Sequence, residues 1–319
     1  MLSLRVESIG QSPVLADLPV PLPAAGEVQI GVEACGLNFA DLLMTEGRYQ
    51  DTPPPPFTLG MEIAGTVLSL GPGTDGPPPG SRVVAFAGQG GLAEVSCVPV
   101  DRCLILPPEV GMIQAAAFPI AYGTSHLALD HRARLQPGET LLVLGAAGGV
   151  GLTAVEIGKR MGARVIASAR GPERLEIARA AGADIVIDSD TPDLKGQLKA
   201  LGGVDVVYDP VGGPAFLEAL RATRPEGRLL TIGFAGGEVQ QIPANLLLVK
   251  NLTVIGLYWG GYMGFRPAVL RDSLSRLVGW IADGSLKPHV SHVLPLTEAA
   301  VGLDLLRRRA ATGKVVITP

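Results

Sequence analysis

The chain has 319 residues, 47% of them hydrophobic but only 4% aromatic, and a formal net charge of −4. That length has room for two domains built on aliphatic and alanine-rich cores, and the acidic balance argues against a nucleic-acid groove. Three cysteines without paired spacing argue against a disulfide framework and for reduced thiols in a cytoplasmic protein.

Residues 1–6 alternate like a strand and lack a signal-peptide profile. The strand predicted over 27–34 runs into Cys35 and Gly36, and a short helix over 38–46 is stopped by Gly47. Tyr49 and the proline run 53–56 read as loop. Strands are predicted at 63–70, 82–87, 92–98 and 102–106, with a turn-rich segment at 71–80. The apolar stretch 110–129 is broken by Gln114, Pro119 and His126, so no membrane span is predicted.

The pattern changes near Phe118. A helix over 121–131 leads to an unbroken apolar run at 141–144, which reads as a strand covered on both faces of a parallel sheet. Strands at 164–167, 184–187, 204–208, 228–232 and 252–257 then alternate with helices over 150–161, 173–181, 194–201, 215–223 and 246–249. Six strands with helical crossovers predict a doubly wound α/β sheet whose ligand lies at the strand C-terminal ends. A helix over 268–283, strands at 290–294 and 315–318 and a helix over 297–308 form a tail expected to rejoin the first lobe. The predicted domains are 1–117 with 260–319, and 118–259, with the active site in the cleft between them.

Between the strand at 141–144 and the helix that follows stands Gly145-Ala146-Ala147-Gly148-Gly149-Val150-Gly151. Gly145, Gly148 and Gly151 are spaced three apart, a variant of the dinucleotide fingerprint. A backbone without Cβ atoms lets a pyrophosphate approach, and the first amides of the helix face it. The flanking strand, helix and second strand raise this above a glycine-rich turn of some other α/β protein. The second strand ends in Ser168, Ala169 and Arg170, with Arg174 four residues on. A carboxylate there would bind the ribose 2′-hydroxyl of NADH; a hydroxyl and two guanidiniums suit the 2′-phosphate of NADPH. The alternative is that both arginines are solvated helix-start residues.

Asn38-Phe39-Ala40-Asp41, Gly47-Arg48-Tyr49, Gly60-Met61-Glu62-Ile63-Ala64-Gly65, the glycine turn, Tyr208-Asp209-Pro210-Val211-Gly212-Gly213 and Thr312-Gly313-Lys314-Val315-Val316 run through the whole chain in order. In these the chain resembles the zeta-crystallin-type quinone oxidoreductases of the medium-chain dehydrogenase/reductase superfamily. The resemblance implies a Rossmann domain plus a GroES-like catalytic domain formed by the N-terminus and the C-terminal return. It also implies absence of zinc. The zinc branch places a cysteine at Asn38, a histidine at Met61 and a cysteine near Ala116, and none of these residues is a zinc ligand. Without a Lewis acid, what remains is hydride transfer to an electron-poor acceptor.

Residue by residue, the resemblance places Asn38 beside the nicotinamide ribose or substrate carbonyl and Tyr49 at the site entrance, the two candidate catalytic groups. Asn38 reads equally as a helix N-cap, and Tyr49 as a loop aromatic. Thr124 falls near the nicotinamide end of the coenzyme. Gly145 and Ala147, in the turn, count among the coenzyme-binding residues, and Gly148, Gly149 and Val150 would offer amides to the pyrophosphate. Ser168, Arg170 and Arg174 would hold the 2′-phosphate. Gly233 and Phe234, and Tyr258, lie at strand ends beside the nicotinamide, or either ring is core. Arg309 matches a family arginine near the coenzyme phosphate, or closes a solvated helix end. His126, His131, His289 and His292 show no metal spacing.

The apolar strand from Leu252 to Leu257 would be an uncovered edge, and the family pairs it across a two-fold axis, so a homodimer is expected. Three functions stay open. The first is NADPH-dependent reduction of a quinone or similar acceptor. The second is reduction of enoyl-thioesters or enones on the same fold, and the third a non-catalytic NADPH-binding protein.

Overall fold

The computed structural model describes residues 1–319 and divides into two compact units, Met1–Ile120 with Leu274–Pro319, and Ala121–Ser273. The chain opens with β1 (Leu2–Val6), β2 (Val14–Asp17), β3 (Glu27–Gly36), α1 (Phe39–Thr45), β4 (Phe57–Thr58), β5 (Glu62–Leu70), β6 (Arg82–Phe86), β7 (Val95–Pro99), β8 (Cys103–Ile105) and α2 (Met112–Ala116). β2 was not legible as a strand: of its four residues only Ala16 is even half-buried, so it carries no alternation.

The second unit contains most of α3 (Pro119–His126), then β9 (Thr140–Leu144), α4 (Gly149–Arg160), β10 (Arg164–Ala169), α5 (Pro172–Ala180), β11 (Ile185–Asp188), α6 (Leu194–Ala200), β12 (Val204–Asp209), α7 (Gly213–Ala222), β13 (Thr223–Thr231), α8 (Ala244–Lys250), β14 (Thr253–Gly256) and α9 (Tyr262–Phe265). The strands form one parallel six-stranded sheet in the order β11-β10-β9-β12-β13-β14. Counted from β9, that is the 3-2-1-4-5-6 order of a Rossmann sheet. All five residues of β9 are buried, as its apolar run requires. One apolar cluster on this sheet joins Leu142, Leu144, Ile166, Val207, Phe216 and Leu229.

Three details depart from the sequence reading. After α3 the helix widens into π-helical turns at Leu127–Arg132. β13 begins at Thr223, directly after α7, and its pairing with β12 skips between Val204 and Val206; Glu226 takes a left-handed φ of 63° in that bulge. Residues 260–273 cluster with the second unit. His126 Nδ1 lies 2.8 Å from Ser273 Oγ, and the His131 and Tyr262 rings meet edge-on at 5.9 Å.

α10 (Pro267–Ala282) carries the chain back to β15 (Val290–Pro295), α11 (Ala299–Arg307) and β16 (Lys314–Thr318). β16 pairs antiparallel with β3, Val316 opposite Gly36, and completes a sheet ordered β15-β16-β3-β5-β6-β8, with β7 also on β3. β1, β2 and β4 form a small separate sheet. The mixed sheet of the first unit and the parallel sheet of the second are the architecture read from the sequence. No helix is long and apolar enough to cross a membrane.

Candidate functional site

In the second unit the site is built around the turn after β9. Gly145 has φ +59°, which L side chains rarely adopt, and a Cβ there would meet Val211 Cγ2 at 3.0 Å. A Cβ on Gly151 would fall 2.1 Å from the Gly145 carbonyl oxygen. So Gly145 sets the turn and Gly151 lets α4 pack against it. The Gly148 N–H donates to the Gly145 carbonyl at 3.0 Å and the Ala146 N–H to the Ser168 carbonyl at 2.9 Å. Gly148 is the N-cap of α4, and its amide is engaged inside the turn. It closes the loop, whereas the sequence reading had it offering that amide. Gly149, Val150 and Gly151 form the first helical turn, where amides have no acceptor within the helix.

A buried hydroxyl cluster underlies this turn. Ser125 Oγ lies 2.8 Å from Thr153 Oγ1, 2.9 Å from the Tyr208 hydroxyl and 3.0 Å from the Val150 carbonyl oxygen. It ties α3, α4 and β12 together; Thr124, next to Ser125 in sequence, is 7% exposed. The Tyr122 hydroxyl donates to Glu156, and burial, with Glu156 adding to it, pushes the Tyr122 pKa far up. Pairs 25 to 83 residues apart carried no signal in the sequence.

At the end of β10, Ser168 is buried. Arg170 is exposed and its Nε lies 3.1 Å from Asp190 Oδ1. Asp188, at the end of β11, accepts the N–H groups of Gly171 and Asp190 at 3.2 and 3.1 Å. Arg174 is half-buried in the first turn of α5. The sequence reading missed Asp190, because an acidic loop residue past the third strand has no fixed spacing to the arginine. An exposed pair of this kind is worth at most about 1 kcal/mol, so a phosphate dianion can replace the aspartate.

The end of β12 is closed by Asp209, whose buried carboxylate accepts the N–H groups of Val211 and Gly212 at 2.7 and 2.9 Å. Burial raises its pKa against those two donors. Beyond β13 and β14, Phe234 and Tyr258 are 42% and 37% exposed, so neither ring is core. Thr231 Oγ1 and Gln240 Oε1 are buried without a hydrogen-bond partner; Gln240 Oε1 lies 3.0 Å from where a Cβ on Gly212 would stand. Orphaned buried polar atoms are uncommon in a finished fold and call for a partner from outside the chain, a water or a ligand. Neither residue was foreseen, since nothing in a lone threonine or glutamine distinguishes it.

In the first unit a second polar group is assembled around Glu62 and Lys314. The Lys314 ammonium donates to Glu62 Oε1 at 2.6 Å, the Leu37 carbonyl at 2.7 Å and Asn38 Oδ1 at 2.8 Å. That uses all three of its hydrogens. Asn38 Nδ2 donates to Glu62 Oε1 at 2.8 Å and to the Gly36 carbonyl at 3.3 Å, and the Ile120 N–H to Glu62 Oε2 at 2.7 Å. Asn38 stands at the N-cap of α1, where the Asp41 carboxylate accepts its N–H at 2.8 Å and that of Gly60 at 3.2 Å. Both amide hydrogens of Asn38 are thus held within the fold, the longer one to Gly36.

Tyr49 is half-buried on the loop after α1, its carbonyl accepting from the Thr52 N–H and hydroxyl. Arg309 lies past the end of α11 with a left-handed φ of 54°. It is Arg308 that bonds Asp304, at 2.7 Å.

A family model described as an alcohol dehydrogenase GroES-like domain matches residues 24–108, and one described as a zinc-binding dehydrogenase matches 149–276. The chain is 40% identical over 311 residues to quinone oxidoreductase-like protein 2 of Bos taurus, covering 96% of this chain and 89% of that one. It superposes on the quinone oxidoreductase of Thermus thermophilus, whose structures include a complex with NADPH, with TM-score 0.90, 36% identity and full coverage of both chains. The Escherichia coli quinone oxidoreductase complexed with NADPH gives TM-score 0.91 at 30% identity, again over both whole chains. Fold and site together define a two-domain pyridine-nucleotide oxidoreductase. More closely, the chain belongs to the quinone-oxidoreductase-like family of the medium-chain dehydrogenase/reductase superfamily.

The zinc in the name of one matching model does not fit these residues. A Cβ on Gly36 would meet the Ala116 carbonyl and Glu62 Oε1, so Ala116, Glu62 and Asn38 do surround one spot. The cation there is the Lys314 ammonium. Asn38, Met61 and Ala116 supply no thiolate or imidazole, and no three histidine, cysteine, aspartate or glutamate side chains gather into a metal site. Cys35, beside them, is 1% exposed, and burial pushes its thiol pKa well up.

Proposed function

We propose that this chain binds NADPH and reduces a quinone or a similarly electron-poor acceptor without a metal ion. The observation that carries the reading is the glycine turn. The first-turn amides of α4 lie at the C-terminal end of a buried strand, and the neighbouring strand ends in Ser168 and Arg170 with no carboxylate among its own residues. When bound, the coenzyme supplies a hydride. The protein's part is to hold and orient it.

In this reading the amides of Gly149 and Val150 take the pyrophosphate, with Gly145, Ala147 and Gly148 giving the turn its shape. Ser168, Arg170 and Arg174 take the 2′-phosphate, and Arg309 is kept as a further phosphate contact. Gly233, Phe234, Tyr258 and Thr124 surround the nicotinamide end, where Thr231 Oγ1 and Gln240 Oε1 accept otherwise missing hydrogen bonds. Tyr49 orients the acceptor carbonyl. Asn38 is held by Glu62 and Lys314, and its contact with Gly36 is the one it can exchange for an acceptor oxygen.

The second reading, reduction of an enoyl-thioester or enone, uses the same residues and a larger acceptor. NADPH oxidation measured with a panel of quinones, crotonyl-CoA and simple enones decides between them. Turnover with quinones alone supports the first reading and turnover with crotonyl-CoA alone the second. Tight NADPH binding without turnover of any acceptor overturns both in favour of a non-catalytic binder.

We also propose a homodimer through the Leu252 to Leu257 segment. β14 is an edge strand with nothing beyond it, and Leu248 and Val249 on the preceding helix are 79% and 68% exposed. Apolar side chains so exposed beside an open edge favour a second copy as the cover.

A further inference from the structure

The second unit carries a concavity of about 700 Å³ at the N-terminal ends of its strands, away from the glycine turn. Glu139 directly precedes β9, and Arg228 on β13 is the register partner of Thr253, the first residue of β14. The glycine turn closes the other end of β9, roughly 16 Å away at about 3.3 Å per residue. The two places are therefore distinct.

Four arginines line this concavity, Arg132, Arg134, Arg228 and Arg266, against one acidic residue, Glu139. The Arg228–Glu139 pair is closed on itself, with two parallel contacts of 2.7 Å, and Arg228 Nε donates to the Ala133 carbonyl at 3.1 Å. The hydrogen bond from Arg228 holds the Glu139 carboxyl below the usual range, so it stays ionised and matched to that arginine. The other three arginines have no carboxylate among the lining residues. His131 adds imidazole nitrogens, and the Tyr262 ring packed edge-on against it makes a flat wall.

Arg134 and Arg266 are exposed at the hollow and Arg132 is half-buried, so an anion entering it would meet three positive charges with no carboxylate of the lining to displace. Guanidinium forks match phosphate oxygens in pairs. We propose that this concavity is a second anion site, which takes a small phosphate-bearing molecule on Arg132, Arg134 and Arg266. It is independent of the coenzyme reading. If β14 pairs with a second copy, that copy borders the concavity, because Thr253 and Ile255 of β14 are among its lining residues.

The test is calorimetric titration of inorganic pyrophosphate into the full chain, with and without saturating NADPH. Wild type and the triple variant Arg132→Gln/Arg134→Gln/Arg266→Gln are compared. Pyrophosphate binding that NADPH does not displace is expected in wild type and should weaken at least tenfold in the triple variant, with NADPH affinity unchanged. Binding that NADPH abolishes entirely, or that the triple variant retains in full, overturns the proposal. Should the triple variant melt early, Arg134→Asn alone serves. Arg134 already has φ 51°, a left-handed conformation that asparagine tolerates. A loss of threefold or more supports the site, and an unchanged isotherm overturns it. If the chain does not bind NADPH at all, the coenzyme reading fails while this titration still reads the second site.

Discussion

Lys314 and Glu62, 252 residues apart in sequence, meet at 2.6 Å with side chains 4% and 0% exposed. A buried pair of this kind is strongly destabilising to break from one side, because the remaining charge has no water. Lys314→Met is therefore expected to cost about 3–5 kcal/mol, read as a lower urea midpoint at unchanged slope. Lys314→Met/Glu62→Leu should recover much of that loss, since no lone charge is left. A single variant as stable as wild type would contradict the pairing.

The glycine turn gives a steric prediction. Gly151→Ala puts a methyl 2.1 Å from the Gly145 carbonyl oxygen, so α4 must move away from the turn. A stability loss of about 1–3 kcal/mol is expected from overpacking, with NADPH affinity falling at least tenfold, measured by calorimetry.

Much of this was legible beforehand. The apolar run ending at Leu144, the glycines at fixed spacing and the alternation of strand and helix predicted the Rossmann sheet and its place in the chain. They did so because a strand covered on both faces has little freedom of composition. What was not legible depends on distance. The Glu62–Lys314 pair and the Ser125–Tyr208 contact join residues that no local pattern relates. Nor does spacing show that the Gly148 amide is turned inward, or that Arg170 already has Asp190 as a partner.

Asp41 gives a prediction in pH. Its carboxyl is buried and raised from 3.8 to about 6, burial outweighing its two backbone donors and the nearby Lys314 charge. The folded value lies above the unfolded one, so between about pH 4 and pH 6 the native state holds the extra proton. This group's contribution is most favourable at the low end of that window and declines as pH rises through it. A carboxyl-carbon NMR titration of Asp41 should show a midpoint near 6, and a midpoint at or below 4 would contradict the burial argument. Asp41→Asn should flatten the stability profile across the same window.

For the edge strand, light scattering at micromolar concentration should report a dimer. Leu248→Asp/Val249→Asp, on an exposed helix face, should give a folded monomer. A wild-type monomer, or a variant that remains dimeric, would contradict the assignment of this edge.

In the proposed reading, Ser168, Arg170 and Arg174 carry the choice of coenzyme. Each charge-assisted hydrogen bond to the 2′-phosphate is worth about 1.5–3 kcal/mol. Arg170→Gln/Arg174→Gln is expected to weaken NADPH binding at least tenfold and leave NADH binding within a factor of about three. Loss of both to the same extent would mean that the arginines act on the fold and not on the phosphate.

The central claim is tested most directly by the dissociation constants of NADPH and NADH for the wild-type chain, measured side by side at one ionic strength. NADPH is predicted to bind at least tenfold more tightly. Equal affinities, tighter NADH, or no binding of either would contradict the account.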